Sequence, residues 1–342
     1  MVLKIQKKTI PAKTALIASP EIPIDIFSPD LPLEAKCLTV FRHQAAYNPV
    51  YKAFLEGLGI NSRNIKALDQ IPFLPVEFFK THAVLTGNRH PEITFTSSGT
   101  GGIQSTHAVV DTGIYKESFR AAFRLFYGAE TEYCILALLP SYLEREGSSL
   151  VYMADDLIRL SGHPSSGFYL RNRKELHTQL QRLEQAGQKT LLLGVTYALL
   201  DFAEEFPMQL KHTRVMETGG MKGQRKEMIR EELHETLCRQ LGLTSVHSEY
   251  GMTELLSQAY SMGQGRFHCP PWMKILIRDP NDPLSLCPPG KTGGINIIDL
   301  ANIHSCSFIA TQDLGKLHSD GSFEVLGRFD NSDLRGCNLL IG

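Results

Sequence analysis

The chain has 342 residues, of which 42% are hydrophobic and 21% charged, with a formal net charge of −1. That balance supports a buried core in one large or two ordinary domains and excludes wholesale disorder. It also argues against a general nucleic-acid binder, because neutralising phosphates needs a clear basic excess. Residues 1–30, rich in Pro and Ile, read as an irregular arm. Prolines and charges interrupt what a leader would need as an apolar core, and no apolar run is long enough to cross a bilayer. The expectation is a cytoplasmic protein with no membrane span and no nucleic-acid partner.

Glu34–Leu58 carries apolar residues at helical spacing (Ala35, Leu38, Phe41, Ala45, Val50, Phe54), and Pro49 divides it into two helices. Pro72 and Pro75 force an extended path through Ile71–Lys80. From Thr94 short apolar runs alternate with helical patterns. Strands are predicted at Tyr133–Leu138, Thr190–Leu193, Arg214–Glu217 and Ser245–Ser248. Helices are predicted at Ile114–Phe126, Ser148–Leu160, Arg173–Ala186, Ala198–Phe206 and Gln224–Leu241. This alternation implies an α/β fold whose mostly parallel sheet is covered by helices. After Pro270 the text changes to short strands between Pro, Gly and Asp turns: Met273–Arg278, Gly294–Asp299, Ser305–Ala310, Lys316–His318 and Phe323–Leu326. They predict a small β-rich, barrel-like subdomain. The expected organisation is an N-terminal arm with helices (1–93), an α/β nucleotide-binding body (94–270), the β-rich subdomain (271–330) and a tail (331–342).

Chemistry concentrates in three places. Thr94–His107, TFTSSGTGGIQSTH, packs the hydroxyls of Thr96, Ser97, Ser98 and Thr100 beside Gly99, Gly101 and Gly102. Glycines let backbone approach a ligand, and hydroxyls and free N–H groups donate to phosphate oxygens. The segment lacks the GxxxxGK pattern of a Walker loop, and a polar surface turn would read the same way. Ser248–Glu254, SEYGMTE, follows an apolar run; Glu254 offers a hard carboxylate suited to Mg²⁺, and Thr253 a phosphate donor, unless this is an ordinary solvated turn. Asp320-Gly321 is a hairpin signal that brings Asp313 to Arg328, as a pair for ribose hydroxyls or as a simple surface ion pair.

In this order, with Gly219-Gly220 between the first and second segments, these motifs resemble the adenylate-forming superfamily over about Thr94–Asp330. The resemblance implies ATP and Mg²⁺ as cofactors and a small-molecule carboxylic acid as substrate. It implies that Thr96, Ser97, Ser98, Gly99, Thr100 and Gly101 hold the β- and γ-phosphates, and that Gly219, Gly220, Tyr250 and Gly251 flank adenine. Thr253 would donate to phosphate, Glu254 would ligate Mg²⁺, and Asp313 with Arg328 would hold the ribose. Two departures stand out. The family's Thr-Thr-Gly-Lys is here Thr100-Gly101-Gly102-Ile103, without the cation. Only 12 residues follow the hinge position Asp330, too few for the mobile domain that carries the family's catalytic lysine.

The LuxE-type acyl-protein synthetases fit that pattern, and Phe73–Lys80 (FLPVEFFK), Glu217–Glu227 (ETGGMKGQRKE) and Arg335–Cys337 (RGC) resemble them. That branch activates a fatty acid and carries it on a cysteine near its own C-terminus, which makes Cys337 the expected acyl acceptor. Arg335 could lower the pKa of that thiol. Two rival readings remain. In one, CoA, a carrier protein or a reductase supplies the thiol and Cys337 only packs. In the other, the chain is a nucleotide-binding subunit without turnover.

The remaining candidates are weaker. The other cysteines (Cys37, Cys134, Cys238, Cys269, Cys287, Cys306) form no CxxC pair, and the twelve histidines form no HExxH. Neither a zinc ribbon, a disulfide scaffold nor a transition-metal site is therefore expected. His107, His247 and His268 are candidate bases but read more readily as structural. Trp272 reads as a packing anchor. Ser148 is a good N-cap.

Overall fold

The computed structural model describes residues 20–22, 24–97, 103–140, 145, 147–219 and 228–329. In chain order its elements are α1 (Leu33–Tyr47), α2 (Pro49–Gly57), β1 (Leu74–Pro75), α3 (Phe78–Thr81), β2 (Ile93–Thr96), β3 (Thr106–Val109), α4 (Thr112–Tyr127) and β4 (Cys134–Leu138). Then come α5 (Ser149–Ser161), β5 (Gly167–Phe168), α6 (Arg173–Gln185), β6 (Thr190–Val195), α7 (Thr196–Glu205), β7 (Thr213–Thr218) and α8 (Arg230–Leu241). The chain continues through β8 (His247–Tyr250), β9 (Ala259–Ser261), β10 (Phe267–His268), β11 (Met273–Arg278), β12 (Thr292–Asp299), β13 (Phe308–Leu317) and β14 (Phe323–Arg328).

One sheet dominates, in the order β11-β12-β13-β14-β10-β9-β8-β7-β6-β4-β5. The half from β5 to β8 is parallel. Every residue of β4 and β6 is buried, as strands covered on both faces by helices must be. At β8 the direction reverses: β9 pairs antiparallel to it, and all further neighbours to β11 are antiparallel. The C-terminal strands therefore do not close into the expected barrel. They extend the same sheet, because β10 hydrogen-bonds β14 and leaves no gap where a separate barrel could begin.

Local sequence explains most boundaries. Asn48 caps α2 by accepting from the Tyr51 N–H at 3.0 Å, with Pro49 at the first helical position, so the break at Pro49 falls where predicted. Ser148 caps α5 through the Val151 N–H, and Gly162 ends it at φ +61°. The two late strands predicted at Ser305–Ala310 and Lys316–His318 are one strand, β13, with a register shift against β12 in its middle.

The N-terminal helices dock on the turn between β12 and β13. The Gln44 amide donates to the carbonyls of Asn302 (3.0 Å) and Ile303 (3.1 Å) and accepts from the Ser307 N–H. Asn48 donates to the Ser305 carbonyl at 2.8 Å. The parallel pair of Leu74 and Pro75 with Ile309 and Ala310 then carries the chain to α3. Among the described residues no helix is long and apolar enough to cross a membrane.

Candidate active site

A cleft of about 510 Å³ opens at the carboxyl ends of β7 and β8, the place where open α/β sheets bind ligands. The antiparallel half of the sheet supplies its opposite rim. Eight of the residues singled out by sequence line it: Thr96, Ser97, Gly219, Gly251, Thr253, Glu254, Asp313 and Arg328. Ser98, Gly99, Thr100, Gly101, Gly220 and Cys337 lie outside the described residues, as does Asp330.

β2 and β3, which flank the TSSGT segment, pair antiparallel from Ile93–Val109 to Thr96–Thr106. The base of this hairpin is fixed. The Thr96 N–H donates to the Gly147 carbonyl at 2.8 Å, and Ser97 exchanges bonds with Ser105, donating from its N–H and accepting at its hydroxyl. Behind the hairpin His107 is fully buried, and its Nδ1–H donates to the Thr253 carbonyl at 2.9 Å. Burial depresses its pKa from 6.5 to about 4, so the ring is neutral at pH 7. His107 thus ties the hairpin to the Thr253–Glu254 turn and is a structural histidine. The same holds for His247, which pairs with the Tyr127 hydroxyl and is also lowered to about 4 by burial.

Glu254 is 6% exposed. Burial raises its pKa; a bond from the Ser105 hydroxyl, its own backbone N–H, and the charges of Arg328 and Lys80 counter this only in part. The turn carrying it is held by Asp299, which accepts from the Leu256 and Ser257 N–H groups at 2.8 and 3.0 Å, and by Asn302, which donates to the Glu254 carbonyl. Among the described residues no group of three His, Cys, Asp or Glu side chains gathers as a metal cage. A cation here would be held by one carboxylate, with its other ligands from solvent or substrate, as suits Mg²⁺.

On the opposite rim the β13–β14 hairpin places Asp313 directly across from Arg328. Gly321 at φ +83° permits the turn. The Tyr250 hydroxyl donates to Asp313 Oδ2 at 2.7 Å, and Arg328 Nε stands 3.5 Å from Oδ1. Tyr250 itself is buried at the end of β8, behind the Asp313 carboxylate.

The cleft also contains residues that motif reading did not assign to it: Lys80 from α3, Arg145, Ser105, and on the inner wall Thr218, Glu249 and Gln258. Lys80 was visible only as the last letter of FLPVEFFK. Trp272 is buried and donates to Ser118 at 2.9 Å, as a packing anchor should.

Residues 163–342 match the family model of LuxE, acyl-protein synthetase. The chain belongs to this family, and with it to the ligases. The long-chain-fatty-acid–luciferin-component ligase of Vibrio harveyi is 24% identical over 315 residues, covering 85% of this chain and 82% of that one. Its counterpart from Photorhabdus luminescens is 34% identical over 105 residues, 27% of this chain and 89% of that one. Among solved structures, ATP-bound MatB from Rhodopseudomonas palustris superposes with a TM-score of 0.53 at 17% identity, covering 69% of this chain. This chain spans about half of that enzyme, 47%. A 2-hydroxyisobutyryl-CoA ligase with 2-HIB-AMP gives 0.62 at 13% identity, covering 87% of this chain and 67% of that one. At such identities the likeness is one of fold, and the fold is that of the adenylate-forming enzymes.

Proposed function

We propose that this chain activates a fatty acid with ATP and passes the acyl group to a thiol. One observation carries the reading: hydroxyls, a buried carboxylate and a carboxylate–guanidinium pair, from segments far apart in sequence, line one cleft beside Gly219 and Gly251. The names of the luciferin-component ligases and the nucleotides in the superposed ligases support it. A carboxylate oxygen of the acid attacks the α-phosphorus of ATP, the bond to the bridging oxygen breaks, and acyl-AMP and pyrophosphate form. Ser97, Thr253 and the hairpin backbone would hold phosphate oxygens, and Asp313 with Arg328 the ribose hydroxyls. Mg²⁺ held by Glu254 would neutralise charge on the phosphates. The raised pKa of Glu254 fits this assignment: Ser105, Arg328 and Lys80 offset its burial only in part, and a cation would complete the offset. Lys80, which lines the same cleft and whose charge acts on Glu254, would supply the positive charge that the hairpin sequence lacks.

In the second step a thiolate attacks the acyl carbonyl, a thioester forms and AMP leaves. None of the six described cysteines lines the cleft. Burial pushes Cys37, Cys269 and Cys306 up to about 12 and Cys134 to about 11, leaving them protonated at pH 7. This supports Cys337 as the acceptor within the chain. The test is intact-protein mass spectrometry after incubation with ATP, Mg²⁺ and fatty acids. An acyl adduct released by hydroxylamine and lost in Cys337→Ser is expected, with pyrophosphate release retained. Pyrophosphate release without any adduct would assign the thiol to CoA or a carrier protein. A folded chain that releases no pyrophosphate with any acid would leave only the nucleotide-binding subunit.

A further inference from the structure

Consecutive side chains at the start of β3 reach different parts of the cleft. Ser105 and His107 are buried on one face of the chain, and Thr106 points the other way. The Ser105 N–H donates to the Ser97 hydroxyl at 3.0 Å, and its own hydroxyl bonds the Glu254 carboxylate. Thr106 donates to the Phe79 carbonyl at 3.4 Å, one residue before Lys80. His107 donates from Nδ1 to the Thr253 carbonyl at 2.9 Å, and its ring meets that of Phe79 edge-on, with centroids 5.5 Å apart. The other nitrogen of His107, Nε2, is buried without a hydrogen-bond partner among the described residues. A proton on Nδ1 leaves Nε2 as an acceptor, and burying it unpaired costs about 1–3 kcal/mol. A leucine or methionine would fill the same space without that cost, so packing alone does not account for the ring. The Nδ1 bond does, through what it joins. The Glu254 carbonyl is held by Asn302, in the antiparallel half of the sheet, and the Thr253 carbonyl by His107, in the hairpin. Without His107 the turn keeps its Asn302 bond but is tied to the hairpin only through the Ser105 hydroxyl. Adenylation needs phosphates on the hairpin and a cation on Glu254 in fixed relation, and a misplacement of about 1 Å can cost about 10²-fold in rate.

We propose that His107 is a positioning residue for adenylation: it touches no substrate and moves no proton, but sets the Thr253–Glu254 turn against the phosphate-holding hairpin through its Nδ1 bond. The inference rests on the adenylation reading above and adds a residue to its machinery.

The experiment measures pyrophosphate release by the full chain with ATP, Mg²⁺ and straight-chain acids from octanoate to tetradecanoate, beside calorimetric ATP affinity and melting temperature. His107→Leu fills the site but cannot donate. Its kcat should fall about 10–100-fold, while ATP affinity stays within about threefold of the parent and the melting temperature within about 4 °C. His107→Asn sets an amide nitrogen as many bonds from the backbone as Nδ1, and should bring kcat back to within about fivefold of the parent. His107→Gln carries its amide one bond further and should stay as slow as the leucine variant. A folded His107→Leu with the parent kcat overturns the proposal. So does a joint fall of melting temperature and kcat in all three variants, because the residue then only packs. If His107→Leu does not fold, equal rates in the Asn and Gln variants overturn it. If wild-type chain releases no pyrophosphate with any of the acids, the adenylation reading fails and this inference with it. Pyrophosphate release that is indifferent to His107 overturns this inference alone.

Discussion

Glu217 and Glu254 are both buried carboxylates at the same end of the sheet, one at the end of β7 and one in the turn after β8, yet they are held in opposite ways. Glu217 has Arg230 Nε and His234 Nε2 each 3.6 Å from Oε1, and the Thr196 hydroxyl donates to Oε2 at 3.3 Å. Burial alone would raise its pKa, but His234, Arg230 and Ser248 together pull it below the usual carboxylate value. Glu254 is buried as well, with a serine hydroxyl as the main offset, and its pKa is raised. The difference separates a carboxylate completed by its own protein from one that, on the proposed reading, a bound cation would complete. Sequence position alone does not show this, since both stand beside a Gly-containing turn.

The largest effect should come from breaking the completed site. Glu217→Ala leaves Arg230 and His234 facing a gap. It should cost about 3 kcal/mol in chemical denaturation, the lower end of the range for a broken buried pair, because the Arg230 side chain is 26% exposed. A loss below ~1 kcal/mol would mean that the pair is no better than a surface one and would erase the contrast.

Glu254→Gln should behave in the reverse sense. Adenylation should slow by about 10²–10³, while the ligand-free protein becomes no less stable than the parent. The pH dependence follows from the raised pKa. Between the ordinary carboxylate value and the raised one, the folded state binds more protons than the unfolded. The parent therefore loses stability as pH rises through that window, and the loss is complete above the folded pKa. Glu254→Gln should flatten that segment of a melting-temperature profile. For Glu217 the sign is opposite: its contribution is present above the unfolded pKa and lost as pH falls through the depressed folded one.

A smaller effect is expected on the far rim. Tyr250→Phe removes the hydroxyl that orients Asp313. It should lower stability by about 1 kcal/mol and weaken ATP binding several-fold by calorimetry. The smallest belongs to Arg328→Ala. The Arg328 side chain is 77% exposed, so the melting temperature should stay at the parent value, and any change should appear only in nucleotide affinity. A measurable loss of fold stability there would show that the rim is structural and that the contrast extends beyond the two glutamates.

Local signals carried much of this fold into the sequence. Buried strands such as Thr190–Val195 announce themselves as apolar runs, and Asn48, Ser148 and Gly162 mark helix ends by residue type alone. Asp320-Gly321 located a hairpin and so predicted Asp313 opposite Arg328. The failures are non-local. β9 and β10 have three and two residues, too short for periodicity to register, yet they make the reversal that joins the two halves of the sheet. Without that reversal the strands after Pro270 looked like a separate barrel. Lys80 enters the cleft because β1 pairs with β13, and Gln258 because it lies across from Gly251 where β8 and β9 meet. No spacing within either segment encodes those encounters.

The docking of α1 and α2 on the 302–307 turn also fixes an order of events during synthesis. Gln44 and its partner Asn302 are 258 positions apart. At about 5–20 residues per second, the two helices emerge roughly 10–50 s before their seat exists. In that interval Val40, Phe41 and Tyr51, all buried in the finished protein, have no sheet to cover them. The α1–α2 pair is thus made well before its seat and is among the last parts to be housed, and slower translation lengthens its exposure to chaperones and to other nascent chains.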